Sequence, residues 1–225
     1  SLRIALIGRE ADHRLVYPAA LGSLGDAAAS LGLNLDVHFF APVSLSAELH
    51  ELHLFQGVVL PGGSSMAAVN GQIRVAEDTL NRGQPTLGLC LGMQSMMTAA
   101  VRRSPGFESA IPAEVAPHEA LHSFVPFADG RHRCGVFPFS SGLIPGDIRE
   151  MHYNHRYCFN TDLLSVLSPG GVSVSAQRDG IVEAVSQPEL PFWHGVQGHP
   201  ELMSRPDAPH PLFVAFLKVA LNAPA

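Results

Sequence analysis

The stretch PTLGLCLGMQSMM (85–97) constrains this chain more than any other. It runs from a proline through an apolar strand to a cysteine set between two glycines, then continues as a helix. A packing cysteine has no use for Gly88 two residues before it and Gly92 two residues after. A side chain held on a tight strand-to-helix turn does, because its backbone is strained and the glycines remove neighbours that would clash with it. Taken alone, Cys90 would be core, since free cysteine is among the most buried residue types. The paired glycines and the switch from strand to helix reverse that weighting. G-x-C-x-G is the thiol form of the nucleophile elbow, which lifts the sulfur above a sheet edge at a helix N-terminus whose free N–H groups favour a thiolate.

The flanking periodicities place that turn in an α/β sheet. Strands are expected over 3–8, 33–40, 57–63 (running into a Gly-rich turn) and 84–89, with helices over 17–31, 44–52, 66–82 and 91–101. This alternation implies a mostly parallel, twisted sheet with helices on both faces. From Ser104 to about Pro145, proline and glycine are frequent, and loops with short antiparallel strands are expected. A short helix over 159–167, a hairpin of 171–177 and 181–187 around RDG, a last core strand over 192–198 and a terminal helix over 209–221 complete the reading. No repeat or long linker divides the chain, so one domain over 1–225 is expected, with a small antiparallel β extension on a flavodoxin-like sheet.

Composition removes several function classes. Hydrophobic residues make up 46% of the 225 and charged residues 15%, enough apolar material for a sizeable core. Net charge is −6, Lys218 is the single lysine and the arginines are scattered, which argues against a nucleic-acid partner. No apolar run reaches eighteen residues, so no membrane partner is expected. SLRIALIG reads as a first strand, not a leader. Three cysteines without a CxxC pair, Cys90, Cys134 and Cys158, suit free thiols in a reducing cytoplasm.

A thiol nucleophile needs a base, a group that orients the base, and donors for an oxyanion. GVQGHPEL (195–202) supplies His199 after an expected strand, and Glu201 to orient the imidazole. VVLPGGSS (58–65) ends another strand in Gly62 and Gly63, whose N–H groups can approach a ligand closely. Gly63 N–H and Leu91 N–H are the expected oxyanion donors. His152, His155 and Cys158 have the spacing of a helical metal site, but Tyr153, Tyr157 and Phe159 alternate as in extended chain, so no metal is expected. No P-loop is present, and no cofactor is expected.

PGG (61–63), GLCLGMQ (88–94) and HPE (199–201), in that order, resemble the class I, or triad-type, glutamine amidotransferases. IALIGREADHRLVYPAALGSL, MHYNHRYCFN and HPELMSRPDAPHPLFVAFLKVA are similar to one branch, the C-terminal glutaminase domain of CTP synthase. The resemblance implies Cys90 as nucleophile, His199 as base and Glu201 as its orienter, with Gly63 and Leu91 as oxyanion donors. It implies a glutamine pocket of Gly62, Gln94, Arg156 and Tyr157, with Arg156 on the α-carboxylate. Glu114 would meet the α-amino group, with Glu108 as a rival. One carboxylate and one guanidinium are what a free amino acid requires. The implied partners are L-glutamine or a γ-glutamyl compound, a separate ammonia-accepting synthase subunit, and a second copy in a homodimer.

This chain departs from the family in three places. The synthetase half is absent, which suggests a stand-alone relative. SSMAAVNGQ (64–72) replaces a more glycine- and charge-rich loop, and Cys158 stands where a carboxylate is expected. Two other readings stay open. A γ-glutamyl amide or peptide hydrolase would use the same triad in a larger pocket. A non-catalytic amidotransferase-like protein would bind and regulate a partner.

Overall fold

The computed structural model describes residues 1–42, 49–63 and 65–224. A seven-stranded sheet forms its centre. Five strands run parallel: β1 (Leu2–Ile7), β2 (Leu35–Phe40), β3 (Gly57–Leu60), β4 (Thr86–Leu89) and β11 (Trp193–Val196). Two more, β9 (Ser173–Arg178) and β10 (Ile181–Ser186), close one side antiparallel. The order across the sheet is β2-β1-β3-β4-β11-β10-β9.

Helices cover both faces. The chain forms α1 (Glu10–Leu15), α2 (Ala19–Ser30), α3 (Val69–Arg82), α4 (Leu91–Arg102), α5 (Leu164–Leu167) and α6 (Pro211–Leu221). One face buries Val58 and Leu60 against Ile73 of α3 and Met96 of α4. The other buries Ile4, Leu6, Leu87 and Leu89 against Leu24 of α2 and Phe213 and Phe216 of α6. Strands shielded on both sides read as unbroken apolar runs, which is how GVVL and TLGL appear in the sequence.

Several expected boundaries move. The helix expected over 17–31 occupies 19–30, and α1 precedes it without having been expected. Ion pairs hold that short helix, Arg9 to Asp12 at 3.0 Å and Arg14 to Glu10 at 2.8 Å. Of the helix expected over 44–52, residues 44–48 lie outside the described residues, and Leu49–Leu54 is a 3-10 turn. The expected helix at 66 begins as 3-10 turn Met66–Ala68 before α3, which Gly83 ends at φ 73°. Phe159 lies in a strand, and helix starts after the Asn160 cap as a 3-10 turn, Thr161–Leu163, leading into α5. The β9–β10 hairpin turns through Asp179 and Gly180, both at positive φ, as a two-residue primed turn requires.

The middle segment folds as two small antiparallel pairs. β5 (Phe124–Pro126) pairs with β8 (Tyr157–Phe159), and β6 (Arg133–Pro138) pairs with β7 (Glu150–His155). A buried ion pair between Arg133 of β6 and Glu183 of β10 ties the second pair to the main sheet.

The glycines of the cysteine turn have steric causes. A Cβ on Gly92 would collide with the Leu60 carbonyl of β3 and come within 2.7 Å of its carbon. One on Gly88 would strike Met96 and lie 2.9 Å from the Gly92 carbonyl carbon. Helix α4 therefore rests against the β3 main chain with no side chain between them. Gly92→Ala is expected to destabilise the fold by about 3 kcal/mol, the upper part of the overpacking range, because backbone cannot yield as a side chain can. Urea unfolding followed through Trp193 measures it, and a loss under half that size would contradict the steric account.

Candidate active site

Cys90 sits at the carboxyl end of β4 and is the cap residue of α4, with φ 50° and ψ −106°. That backbone is costly for any residue with a Cβ and is held in place from several sides. Its N–H donates to Val196 O of β11 at 2.8 Å, and its carbonyl accepts from Gln94 N–H at 3.1 Å. As the first residue of α4, Leu91 has an N–H with no intrahelical acceptor.

Gly62 lies against both Cys90 and His199. A Cβ there would stand 3.1 Å from Cys90 Cβ and 3.1 Å from His199 Cε1. His199 follows β11, and its N–H donates to His152 O at 2.7 Å. Its ring faces the Cys90 side chain, which helps to raise its pKa, while Nδ1 meets Glu201 Oε2 at 3.0 Å. Ser23 of α2 donates to Glu201 O at 3.1 Å, which fixes the short turn carrying the carboxylate. The order thiol, imidazole, carboxylate is that of a nucleophilic triad.

Burial works against a charge on His199, but hydrogen bonds with Cys90 and Glu201 outweigh it and raise the pKa to about 10. The imidazolium is thus the favoured form at neutral pH. A raised folded-state pKa adds stability that is complete below the ordinary histidine value of 6.5 and is lost as pH climbs through about 10.

In front of Cys90 lies a cavity of about 300 Å³, bordered by Gly63, Leu91, Gln94, Glu114, Arg156 and Tyr157. Six sequence-derived positions therefore meet around the thiol. Glu114 sits at the mouth, where loss of water pushes its carboxyl above the ordinary pKa. Its rival Glu108 is elsewhere, accepting from Gly106 N–H at 3.0 Å. Arg156 occupies the single-residue break between β7 and β8, exposed, with no side-chain partner among the described residues. Cys158 is half-buried on β8, does not border the cavity, and has its pKa raised by burial. His152 and His155 lie in extended chain, and among the described residues no three His, Cys, Asp or Glu side chains cluster to hold a metal.

Sequence reasoning gave no role to Met66, His132, Asn154 and His155, which also border the cavity. His155 is kept neutral, its pKa lowered to about 4 chiefly by burial, with Arg133 adding to the effect. Its Nδ1 meets Tyr157 O at 2.8 Å and Nε2 faces Arg133 at 3.5 Å, so the proton sits on Nδ1. The chain segment bordering the cavity was legible in MHYNHRYCFN, but the tautomer depends on Arg133, 22 residues away. Gln197, also without an assigned role, donates to Cys90 Sγ at 3.6 Å.

Comparison with known proteins places the chain in a family. The family model for glutamine amidotransferase class-I matches residues 21–219, and the chain belongs to that family. It is 33% identical to CTP synthase of Nostoc punctiforme and 30% identical to that of Clostridium perfringens, over 98% of this chain. Only 44% and 45% of those proteins are covered, so the chain spans less than half the length of these relatives. Its fold matches the glutaminase domain of Trypanosoma brucei CTP synthase with bound acivicin, at TM-score 0.91 and 24% identity, covering 100% of this chain and 96% of that one. A glutamine amidotransferase from Thermotoga maritima superposes at 0.59 with 14% identity, covering 98% and 96%. No helix among the described residues is long and apolar enough to cross a membrane.

The Glu201 carboxylate is a cause of the raised His199 pKa, so Glu201→Gln is expected to lower it. Titration of the His199 Cε1–H resonance should show a midpoint well below about 10 in the variant. An unmoved midpoint would assign the imidazolium to Cys90 alone.

Proposed function

We propose that this chain is a cysteine-dependent glutaminase, hydrolysing the side-chain amide of L-glutamine and supplying ammonia to a separate synthase. The observation that supports this most is the meeting of Cys90, its backbone strained and its side chain beside His199, with Glu114 and Arg156 on one small cavity. A carboxylate and an unpaired guanidinium on the same cavity as the thiol suit the cationic and anionic ends of a free amino acid.

In this reading the Cys90 thiolate attacks the carboxamide carbon of glutamine. Negative charge collects on the amide oxygen, which the N–H groups of Gly63 and Leu91 receive. Such donors are worth about 3 kcal/mol each in serine proteases, because they are already aimed where the charge develops. The His199 imidazolium gives its proton to the amide nitrogen, ammonia departs, and a γ-glutamyl thioester remains on Cys90. Neutral His199 then takes a proton from water, whose hydroxide adds to the thioester. Collapse expels the thiolate and yields glutamate, with the imidazolium restored. Glu201 holds Nδ1–H throughout, so that the other ring nitrogen faces the reaction. No metal or other cofactor is needed for these steps.

A second reading, hydrolysis of a larger γ-glutamyl amide, has one observation in its favour. Gly63 also borders a second cavity of about 500 Å³ lined by Arg9, Asp12 and Tyr17. A leaving amine larger than ammonia would have space there.

Intact mass after exposure to a diazo-ketone analogue of glutamine tests the first reading, together with glutamate release. Wild type is expected to gain one adduct and to form glutamate, and Cys90→Ala to do neither. An adduct without turnover of glutamine, but with turnover of γ-glutamyl amides, would favour the second. No adduct would overturn both. Arg156→Met is expected to raise KM for glutamine by about tenfold or more, the loss of one charge-assisted contact, while kcat changes little.

A further inference from the structure

Gln197 has no exposed surface, and its side chain spans two groups of the site. Nε2 donates to Cys90 Sγ at 3.6 Å, and Oε1 accepts from Gln94 Nε2 at 3.4 Å. Its main chain is fixed as well. Gln197 N–H donates to Glu183 O at 2.8 Å, and the preceding carbonyl, of Val196, holds Cys90 N–H at 2.8 Å. The amide is therefore in a fixed place with only its orientation to choose.

A primary amide offers two donors on one end and an acceptor on the other. With Nε2 towards the sulfur it stabilises a thiolate. With Oε1 there, it would repel one. A thiolate thus selects the first orientation, which turns Oε1 towards Gln94. Only the Nε2 end of Gln94 can bond to that oxygen, so the Oε1 end of Gln94 is left for the cavity this residue borders. Charge on Cys90 and the orientation of Gln94 are linked through one buried amide.

We propose that Gln197 is a positioning residue that makes this link. It readies the thiolate and, by the same hydrogen bonds, presents the cavity with an acceptor oxygen at Gln94. An acceptor there accommodates the N–H groups of a carboxamide or amine and opposes a carboxylate oxygen. The link therefore favours an amide substrate over its acid product, glutamine over glutamate. This inference rests on the glutaminase reading above and names a determinant of its specificity.

The test uses the full chain as wild type, Gln197→Met, Gln94→Met and the double variant, with Gln197→Glu as a near-isosteric control for folding. The first readout is the rate of Cys90 alkylation by iodoacetamide at pH 7, followed by peptide mass, with exposed Cys134 as internal reference. The second is the ratio of the glutamate inhibition constant to KM for glutamine. Gln197→Met and Gln197→Glu are each expected to slow Cys90 alkylation by about tenfold or more and leave Cys134 unchanged, since each removes a hydrogen bond to a charged group. Both should narrow the glutamate-to-glutamine ratio, and the effects of Gln94→Met and Gln197→Met on alkylation should be non-additive. Wild-type alkylation in both Gln197 variants, or additivity of the two methionine variants, would overturn the inference. If Cys90 of wild type is alkylated no faster than Cys134, the glutaminase reading itself fails, a separate outcome from failure of the link.

Discussion

Everything at the site depends on how closely α4 approaches β3. The Gly92 Cα lies so near the Leu60 carbonyl that no side chain fits between them, and Gly88 gives the same clearance from the other side. That contact fixes the helix axis, and the helix axis fixes the angle through which the chain turns at residue 90. The positive φ of Cys90 follows from the angle. Interiors pack to crystal-like density, so a helix set flush on a strand has no slack to relax the turn. The strain at Cys90 is thus offset by packing along the whole of α4, whose residues from Leu91 to Val101 are all buried. Polar side chains in that buried helix are paired as well, Ser95 with Gln72 at 2.9 Å and Thr98 with Ser123 at 2.7 Å.

A second constraint supports the opposite wall of the cavity. Arg133 and Glu183 form an ion pair with 7% and 2% of their side chains exposed. Burying both charges is expensive, and a pair of this kind adds little net stability, but breaking it is costly. The Arg133 guanidinium also lies 3.8 Å from the centroid of the Tyr153 ring and faces His155. This cation therefore ties the β6–β7 pair to the main sheet, beside the packing of Met151 and Tyr153 against it, and sets the proton on His155. Asn154, Arg156 and Tyr157 border the cavity from that anchored segment.

The parts of this site legible in the sequence are those whose cause is local. The Gly88, Cys90 and Gly92 pattern fits a strained turn within five residues, so the elbow could be read directly, although the close approach to Leu60 that explains Gly92 could not. Gly62 and Gly63 are legible for the same reason. HPE carries its own geometry, since His199 and Glu201 meet across two residues. Signals that depend on distant partners were not legible. The short α1 rests on ion pairs and lacks a long apolar stripe. The β5–β8 pairing joins segments about thirty residues apart, across the β6–β7 pair, so no single turn announces it. Glu114 and Glu108 are alike as letters, and only the fold brings the first to the cavity. Gln197 stood in plain view two residues before His199, but its significance lies in an amide orientation set by Cys90 and Gln94.

The hydrogen bond from Cys90 N–H to Val196 O has a consequence for how the protein fails on heating. It joins the nucleophile to β11 while Gly92 joins it to β3, so the turn hangs between two neighbours of β4 in the middle of the sheet. Sites on peripheral loops often loosen before the rest of a protein melts, because local opening there costs little. This turn cannot open locally without parting central strands. Thermal inactivation and global unfolding should therefore share one transition, and a stabilising change in either core would lengthen the life of the site as well as of the fold.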